Sequence, residues 1–328
     1  MSVHRVLVTG GSGFVGINLV QHFLDQGVEV VNADVRPSRN PAHASVWRET
    51  DLLDGAAVRA VVDELDPTHI VHLGARTDLR GTTLADYAVN YDGTRTVVDA
   101  ARGRSSLERV VFASTRLVCR IGYIPRSDDD YAATTPYGES KIEAEKLVRA
   151  SGLDVPWVIV RPTSIWGPWF EIPYRTFFDT IRKGRYVHPR GRQIRKSFGY
   201  VGNSVHQLDG LLRCDADLVH GKTFYLADDP PIEVLDMAQR IRRAFGAPPV
   251  RSVPVPVLRV LAKAGDAARA AGWAEPPLTS FRLDNLLTEM VFDVPLQEIT
   301  GPPPHRLDDA IAETVRWIET HGSAPSAH

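Results

Sequence analysis

Two side chains four residues apart, Tyr137 and Lys141, have the types and spacing that acid–base chemistry needs. They lie at the start of a predicted helix, where residues i and i+4 share a face. A lysine ammonium beside a phenol favours the phenolate, so this tyrosine could accept a proton from a hydroxyl group and return it. Ser114 and Thr115 end a predicted strand, and we expect them at the same edge of the sheet. The alternative interpretation is an exposed tyrosine beside a solvated lysine.

A glycine-rich turn near the start of the chain has the pattern of a dinucleotide-binding turn. Gly10, Gly13 and Gly16 are spaced three apart between a predicted strand and a predicted helix. Such a turn needs residues without Cβ atoms, and it places a diphosphate on the N–H groups of the helix N-terminus. Asp34 ends the next predicted strand, eighteen residues after Gly16, where a carboxylate holds a ribose 2′-hydroxyl and repels a 2′-phosphate. The pattern therefore favours NAD over NADP, although two arginines close by weaken that preference.

Alternating strand and helix patterns must position these residues. The predicted strands are nearly continuous Val/Ile/Leu runs, which is typical of strands buried on both faces. They are Arg5–Thr9, Val28–Ala33, Ile70–Leu73, Arg109–Ala113 and Trp157–Arg161, and the predicted helices between them are 14–26, 55–65, 83–102 and 137–151. This alternation predicts an α/β fold with a Rossmann-type, doubly wound parallel sheet.

The regular alternation of strand and helix patterns ends at about residue 166, after which prolines divide the chain into short segments. Helical patterns continue at 233–245, 257–271 and 307–320, and a strand-like run at Lys222–Ala227 could return to the sheet. We therefore predict a smaller, mixed C-terminal substrate lobe beside the sheet domain. The predicted boundaries are 1–165 with 197–228 for the NAD-binding domain, and 166–196 with 229–328 for the substrate lobe.

Composition argues against several classes of function. The formal net charge is −2, so no chain-wide positive field exists to attract nucleic acid. The two cysteines are not spaced for a disulfide framework or a metal site, and the eleven histidines form no metal-binding motif. The most alanine-rich stretch, 257–272, carries four charged side chains and does not read as a membrane span. We therefore expect a cytoplasmic protein without a metal, nucleic-acid partner or membrane partner.

Taken together, the motifs resemble those of extended short-chain dehydrogenases/reductases, and more narrowly the NAD-dependent nucleotide-sugar epimerase/dehydratase family. The motifs that carry the resemblance are, in chain order, Thr9-Gly10-x-x-Gly13-x-x-Gly16, Asp51-Leu52, His72-Leu73-Gly74-Ala75, Asn90, Ser114-Thr115, Tyr137-x-x-x-Lys141 and Arg161-Pro162. The resemblance covers nearly the whole chain. It implies NAD as cofactor, a nucleotide sugar as substrate, and a homodimer built from the helices around 83–102 and 137–151.

The resemblance also implies roles for individual residues. Thr115 would hydrogen-bond the reacting hydroxyl, Tyr137 would be the acid/base, and Lys141 would hold the nicotinamide ribose and tune Tyr137. Adenine would contact Asp51 and Leu52, and the backbone of 72–75 would line the nicotinamide ribose. The full predicted cofactor-binding set is Gly10, Gly13, Phe14, Val15, Gly16, Asp34, Asp51, Leu52, Leu73, Gly74, Ala75, Asn90, Ser114, Tyr137 and Lys141.

Candidate substrate-binding residues follow the carboxyl ends of the predicted strands, where open α/β sheets bind ligands. They are Arg76, Thr77, Arg116, Thr163 and Ser164. In addition, the family has an arginine that binds the nucleotide diphosphate near this point of the chain. The alignment leaves two candidates for it, Arg195 and Lys196.

Departures from the family pattern narrow the predicted reaction. The dehydratases carry an Asp-Glu pair directly after the active-site threonine, where this chain has Arg116 and Leu117. The decarboxylases place a glutamate, and the fucose-synthase-type enzymes a cysteine, at the position of Leu117. These reactions are therefore disfavoured. What remains is epimerisation of a sugar hydroxyl, most simply at C4, through a transient keto intermediate. The alternatives are a reductase or dehydrogenase of a nucleotide keto-sugar or other alcohol and, least favoured, a non-catalytic dinucleotide-binding regulator.

Overall fold

The computed structural model describes residues 4–171, 174–273 and 278–321, which divide into two compact units. The first unit comprises Met1–Ile165, Gly199–Ala227 and Asp293–His305, and the second comprises Trp166–Phe198, Asp228–Phe292 and Arg306–His328. Residues 1–3 of the predicted first domain, and 172–173, 274–277 and 322–328 of the predicted second, lie outside the described residues.

The strands of the described residues, in chain order, are β1 (Arg5–Thr9), β2 (Glu29–Asp34), β3 (Trp47–Glu49), β4 (His69–His72), β5 (Arg109–Ala113), β6 (Trp157–Pro162), β7 (Ser164–Trp166), β8 (Val187–Pro189), β9 (Arg195–Lys196), β10 (Phe198–Tyr200), β11 (Thr223–Leu226), β12 (Ile232–Glu233) and β13 (Arg251–Val253). The helices are α1 (Phe14–Asp25), α2 (Gly55–Leu65), α3 (Ala88–Ala101), α4 (Pro136–Ala150), α5 (Tyr174–Arg182), α6 (Val201–Arg213), α7 (Ala216–Val219), α8 (Val234–Phe245), α9 (Val255–Ala270), α10 (Ser280–Leu287), α11 (Leu296–Thr300) and α12 (Leu307–His321).

Within the described residues of the first unit, seven parallel strands form one sheet in the order β11-β6-β5-β4-β1-β2-β3. The chain runs outward from β1 to β3 and then returns to β4 on the other side of β1. This change of direction is the topological switch point at which doubly wound sheets bind ligands. The predicted Rossmann-type parallel sheet is confirmed.

Helices cover both faces of this sheet because alternate residues of each buried strand point to opposite sides. On one face, Leu7, Ile70 and Val110 of the strands form a core with Val61 of α2 and Val97 of α3. The helices α2 and α4 each pack against α3, and α1 packs against α6. In the described ranges every helix is too short or too polar to cross a lipid bilayer.

In the second unit, short strand pairs and helices surround smaller cores. The strand β12 pairs antiparallel with β9, and β13 pairs in parallel with β8. The helices α5 and α12 pack against α8, and α10 packs against α9. Aromatic rings fill part of this unit, since the ring of Phe178 lies 5.3 Å from that of Phe170 and 5.5 Å from that of Trp166, centroid to centroid.

The predicted elements are found with small shifts and one clear error. Each predicted strand is present with ends displaced by no more than one residue, and the run at Lys222–Ala227 returns to the sheet as β11 beside β6. The predicted helix 83–102 is wrong at its start, because Leu84–Tyr87 is a 3₁₀ turn and the α-helix begins at Ala88. The carboxylate of Asp86 accepts the N–H groups of Thr82 and Thr83, which closes this tighter turn.

Several elements were not predicted, for identifiable physical reasons. The strand β3 is only three residues long and contains no aliphatic run. By contrast, the helix α6 was missed although Val201, Val205, Leu208 and Leu212 recur at helical spacing, and it also buries Asn203, Ser204 and Gln207.

Candidate active site

The glycine turn brings two backbone segments closer together than a side chain would allow. Gly10 has φ of 70°, and a Cβ there would lie 2.6 Å from the Cα of Gly74 in the segment that follows β4. A Cβ on Gly16 would collide with the carbonyl oxygen of Gly10. The glycines are therefore required by the close packing of β1, α1 and the end of β4.

The first turn of α1 has no side-chain cap. Its N-cap residue is Gly13, which carries no group that could accept the N–H groups of the helix start. Such a helix N-terminus concentrates positive partial charge and orients N–H donors outward, which is the arrangement that binds phosphate groups. The predicted residues Gly13, Phe14, Val15 and Gly16 occupy this turn. These features fit the diphosphate of a dinucleotide.

Asp34 lies at the end of β2, beside the glycine turn. Its carboxylate accepts the backbone N–H of Ser12 at 3.2 Å and that of Arg36 at 3.1 Å. Partial burial raises the pKa of Asp34, and these two N–H groups oppose that rise. The contacts hold the carboxylate next to the turn, where it fits a ribose 2′-hydroxyl and disfavours a 2′-phosphate.

The two residues predicted to contact adenine differ in their surroundings. The side chain of Leu52 is buried, and its Cδ1 occupies the place that a Cβ on Gly74 would need. Asp51 is exposed, and its carboxylate accepts the N–H of Leu53 at 2.9 Å. Gly74, in the segment that continues β4, therefore lies between the glycine turn at Gly10 and the apolar side chain of Leu52.

Asn90 is buried and connects the end of β4 to α4. Its side chain accepts the backbone N–H of Arg76 at 2.8 Å and donates to the carbonyl of Arg76 at 3.0 Å and to the hydroxyl of Ser140 at 2.9 Å. This predicted cofactor residue thus holds the segment after β4 in register with the helix that carries Tyr137 and Lys141.

The helix α4 positions the candidate acid–base pair against the end of β5. It starts where Thr135 accepts the N–H of Gly138 at 3.1 Å. Gly138 has no side chain because the carbonyl of Leu117 occupies that space. Lys141 is 2% exposed and donates from Nζ to the carbonyl of Ala113 at 2.9 Å. Tyr137 precedes it by one turn and is 7% exposed.

Thr115 directly follows the same strand. It is buried, and its hydroxyl accepts the N–H of Leu117 at 3.2 Å while its own hydrogen stays available for another acceptor. The structure therefore brings Thr115 and Lys141 together at the end of β5, with Tyr137 on the same face of α4 by its spacing.

Burial changes the charge state of Lys141. It lowers the pKa of the ammonium from its ordinary 10.5 to about 8, and the carboxylate of Glu145, one helical turn further on, opposes that fall. Lys141 is therefore cationic below about pH 8 and increasingly neutral above it. The charge that would favour a phenolate at Tyr137 is available only in the lower range.

A buried ion pair that we did not predict lies behind these residues. Arg161 of β6 and Glu145 of α4 are each 1% exposed, and Arg161 donates from both Nε and Nη2 to the carboxylate, at 2.9 and 2.7 Å. The hydroxyl of Ser114 donates to the same carboxylate at 2.5 Å, and that of Tyr131 donates at 3.0 Å. The predicted cofactor residue Ser114 therefore bonds within the protein. A charge at position i+4 from Lys141, on the buried face of α4, is the sequence signal that could have identified Glu145.

Among the predicted substrate residues of the first unit, Arg76 and Thr163 use their side chains in contacts within the protein. The guanidinium of Arg76 pairs with Asp78 at 2.8 Å, donates to the carbonyl of Asp86 at 2.8 Å and stacks over the ring of Tyr87. The hydroxyl of Thr163 donates to the carbonyl of Leu226 at 2.9 Å. Ser164 is buried, Thr77 is exposed and Arg116 is partly exposed.

The predicted diphosphate-binding residues lie in the second unit, on β9. Arg195 is exposed and pairs with Glu289 at 3.3 Å. Lys196 is 7% exposed and donates from Nζ to the carbonyl of Asn285 at 2.7 Å. Of the two registers left open by the sequence, Arg195 is the one with an accessible charge.

Comparison with known proteins gives a consistent family. Residues 6–224 match the model of the NAD dependent epimerase/dehydratase family. The chain is 33% identical over 263 residues to a 3 beta-hydroxysteroid dehydrogenase/Delta 5-->4-isomerase of Mycobacterium tuberculosis, covering 74% of this chain and 70% of that protein. It is 28% identical over 268 residues to UDP-glucose 4-epimerase of Vibrio cholerae, covering 77% and 79%.

Solved structures share the fold along almost the whole chain. A UDP-glucose 4-epimerase of Thermotoga maritima with UDP-glucose superposes with a TM-score of 0.73 at 16% identity, covering 97% of this chain and 99% of that one. A UDP-glucose 4-epimerase of Thermus thermophilus in complex with NAD superposes with a TM-score of 0.70 at 22% identity, covering 98% and 100%.

The buried pair yields a stability prediction. Glu145→Gln leaves Arg161 buried without its counter-charge, and we expect the free energy of unfolding to fall by about 3–5 kcal/mol. The matched control is Glu143→Gln on the same helix, whose exposed pair with Lys146 contributes at most about 1 kcal/mol. Urea unfolding of both variants measures the difference. Equal losses in the two variants would contradict the structural role of Glu145.

The position of Asp34 yields a prediction on cofactor choice. In Asp34→Asn the repulsion of a 2′-phosphate disappears, so we expect the ratio of NADP to NAD affinity to rise about tenfold, which corresponds to ~1.4 kcal/mol. Calorimetric titration of each nucleotide measures this ratio. Asp25→Asn, at the far end of α1, serves as the control and should leave it unchanged. An unchanged ratio in Asp34→Asn would show that this carboxylate does not select the cofactor.

Proposed function

The chain belongs to the NAD-dependent epimerase/dehydratase family, and we propose that it inverts a hydroxyl-bearing carbon of a nucleotide sugar, most simply C4. The observation that carries this proposal is the cluster at the end of β5, where Lys141 donates to the carbonyl of Ala113, Thr115 follows two residues later, and Tyr137 shares the face of Lys141. Thr115 is followed by Arg116 and Leu117, neither of which can remove a proton from carbon. This cluster therefore suits a reaction in which one residue accepts a proton from a hydroxyl and no residue removes a proton from carbon.

Each step of the proposed reaction uses one of these residues. Thr115 orients the sugar hydroxyl, and Tyr137, as phenolate, accepts its proton. NAD, held by the glycine turn and Asp34, would supply the acceptor and donor of the hydride. Lys141 stabilises the phenolate through its positive charge and, from its anchor on Ala113, holds the nicotinamide ribose. When the sugar has presented its other face, Tyr137 returns the proton to the newly formed alkoxide. Protons and hydride balance over the cycle, so no external oxidant is needed.

The nucleotide-sugar part of the proposal rests on comparisons and on one cation. The solved structures that match along both units include an epimerase with UDP-glucose, and Arg195 provides an accessible positive charge for a diphosphate in the second unit. That the second unit binds the substrate remains a prediction. That the protein forms a homodimer also remains a prediction.

A second candidate function is a dehydrogenase or reductase acting on an alcohol or ketone that is not a nucleotide sugar. Two observations favour it. The chain is 33% identical to a protein named as a steroid dehydrogenase/isomerase, against 28% to the epimerase from Vibrio cholerae. In addition, Arg195 is paired with Glu289, so this cation has a counter-charge without a diphosphate.

A panel of nucleotide sugars, followed by NMR with and without added NAD, distinguishes the candidates. Conversion of one sugar into its stereoisomer without net NADH supports the epimerase. Stoichiometric oxidation with NAD, or reduction with added NADH, of a steroid or other non-sugar alcohol or ketone included in the same panel supports the second candidate and rejects the first. Silence throughout would reject both.

Substitution of the proposed acid–base residue tests the chemistry itself. We expect Tyr137→Phe to lower kcat by about 10²–10⁴-fold, because general acid–base catalysis by a positioned side chain contributes on that order. The affinity for NAD should stay within a few-fold of the original, about 1 kcal/mol or less. Tyr174→Phe removes a partly exposed phenol of the second unit and is the matched control. Retained kcat in Tyr137→Phe would remove this residue from the mechanism.

The lowered pKa of Lys141 predicts the alkaline limb of the pH profile. Folding makes the ammonium easier to deprotonate, so the cation is lost as pH rises through about 8 rather than 10.5. We expect kcat/KM to decline above about pH 8. Lys141→Met should lose this limb together with most of the activity, whereas Lys146→Met, on the exposed face of α4, should keep both. A profile that stays flat to pH 10 would contradict the role of the cation.

A further inference from the structure

Tyr87 is a fully buried tyrosine beside the acid–base helix, and none of the sequence motifs includes it. It ends the 3₁₀ turn Leu84–Tyr87, which packs against α4, and 0% of its surface is exposed. Its ring lies 5.9 Å from the ring of Tyr137, centroid to centroid, and the two ring planes are tilted by 56°. Aromatic pairs at such distances attract each other in tilted arrangements. The phenol of Tyr137 therefore packs on the ring of Tyr87.

The hydroxyl of Tyr87 holds the loop that follows β4. It donates to the carbonyl of Asp78 at 2.7 Å and accepts the N–H of Gly81 at 3.0 Å. A Cβ on Gly81 would lie 2.5 Å from Cε2 of the same ring, so the loop closes on the ring because residue 81 is a glycine. A ring that only filled the core would not need a hydroxyl that both donates to the loop and accepts from it.

A cation at the start of this loop contacts the same ring. Arg76 donates from Nε and Nη2 to the carboxylate of Asp78, at 2.8 and 3.2 Å, and from Nη1 to the carbonyl of Asp86 at 2.8 Å. Its guanidinium lies 5.0 Å from the centroid of the Tyr87 ring, which is a cation–π contact. The loop 76–81 is therefore folded around Tyr87. It follows the end of β4, at the edge of the sheet where open α/β sheets bind ligands.

We infer that Tyr87 is a positioning residue for the proposed reaction. Its ring fixes the orientation of the Tyr137 phenol, and its hydroxyl fixes the shape of the loop 76–81, which faces the substrate. The inference rests on the proposed role of Tyr137 as the acid–base residue, and it applies to the epimerase and to the dehydrogenase alike. A phenol that accepts a proton must point at the reacting hydroxyl, and a small misplacement of such a group lowers the rate by up to about 10²-fold.

Two substitutions at position 87 separate the two contacts. Tyr87→Leu removes the ring on which Tyr137 packs, and we expect kcat to fall by about 10- to 100-fold. Tyr87→Phe keeps the ring and removes only the hydroxyl. We expect it to leave kcat nearly unchanged and to raise KM by about two- to tenfold, because the loop loses its hydrogen bonds. Steady-state kinetics with the substrate that the panel identifies measure both constants. The same change of kcat and KM in the two variants would overturn the inference.

Trp157→Leu is the matched control for the loss of a buried aromatic ring. Trp157 is 8% exposed, and its ring lies 5.8 Å from that of His220. It begins β6, so it lies at the opposite edge of the parallel sheet from the end of β5. We expect Trp157→Leu to lower the melting temperature, as Tyr87→Leu does, and to leave kcat unchanged. An equal fall of kcat in both variants would show that Tyr87 acts only through stability.

A substitution in the loop tests the same contact from the other side. Gly81→Ala would place a methyl group against the ring of Tyr87, so we expect KM to rise as in Tyr87→Phe. Gly55→Ala is the control, because a Cβ there would meet only a methyl group of Thr96 at 3.6 Å, and it should leave KM unchanged. An unchanged KM in both Gly81→Ala and Tyr87→Phe would overturn the role of the hydroxyl.

A fluorine NMR spectrum tests the packing of Tyr137 without any substrate. In protein labelled with fluorotyrosine, the resonance of Tyr137 is the one that Tyr137→Phe removes. We expect a single narrow line in the original protein and in Tyr87→Phe. In Tyr87→Leu the line should broaden or split, because the phenol then samples more than one orientation. A single narrow line in Tyr87→Leu would overturn the inference. Broadening together with silence across the substrate panel would reject the proposed function and retain the contact that orients Tyr137.

Discussion

The ion pair between Arg161 and Glu145 is the interaction on which the site depends. Two charges removed from water are tolerated only when every remaining donor and acceptor is satisfied, and here Ser114 and Tyr131 complete the set. The pair joins β6 to α4, and Ser114 joins α4 to the end of β5. The distance between the strand that carries Thr115 and the helix that carries Lys141 is therefore set by buried polar contacts and not by apolar packing alone.

A second set of buried polar contacts fixes the position of the segment that lies beside the glycine turn. Asn90 fastens the segment after β4 to α4 through Ser140, while Gly10 lets that segment approach the glycine turn. The turn, the end of β4 and the acid–base helix are thus mutually located by two polar side chains. Both hydrogens of the Asn90 amide are used in bonds to Arg76 and Ser140, so its influence on chemistry would pass through the position of these segments.

The sequence predicted the fold more completely than it predicted the contacts of the candidate site. The sheet followed from aliphatic runs, because strands buried on both faces leave a simple pattern. The helix α6 was missed although its apolar residues recur at helical spacing, and the burial of its Asn203 and Gln207 depends on tertiary contacts. At the site, motif spacing located Tyr137 and Lys141, but the engagement of Arg76 with Asp78, and the burial of Lys196 beside exposed Arg195, depend on tertiary contacts that spacing does not encode. The identity of the substrate likewise depends on side chains whose positions are set by tertiary contacts.

The close approach around Gly74 has a consequence for how this site can vary among relatives. At position 74 the obstacle to a larger residue is the flexible end of Leu52, whereas at position 10 it is backbone. An alanine at 74 could therefore be accommodated together with a shorter or rotated side chain at 52, so these two positions should covary. Position 10 has no such compensating partner and should remain invariant wherever the turn is kept.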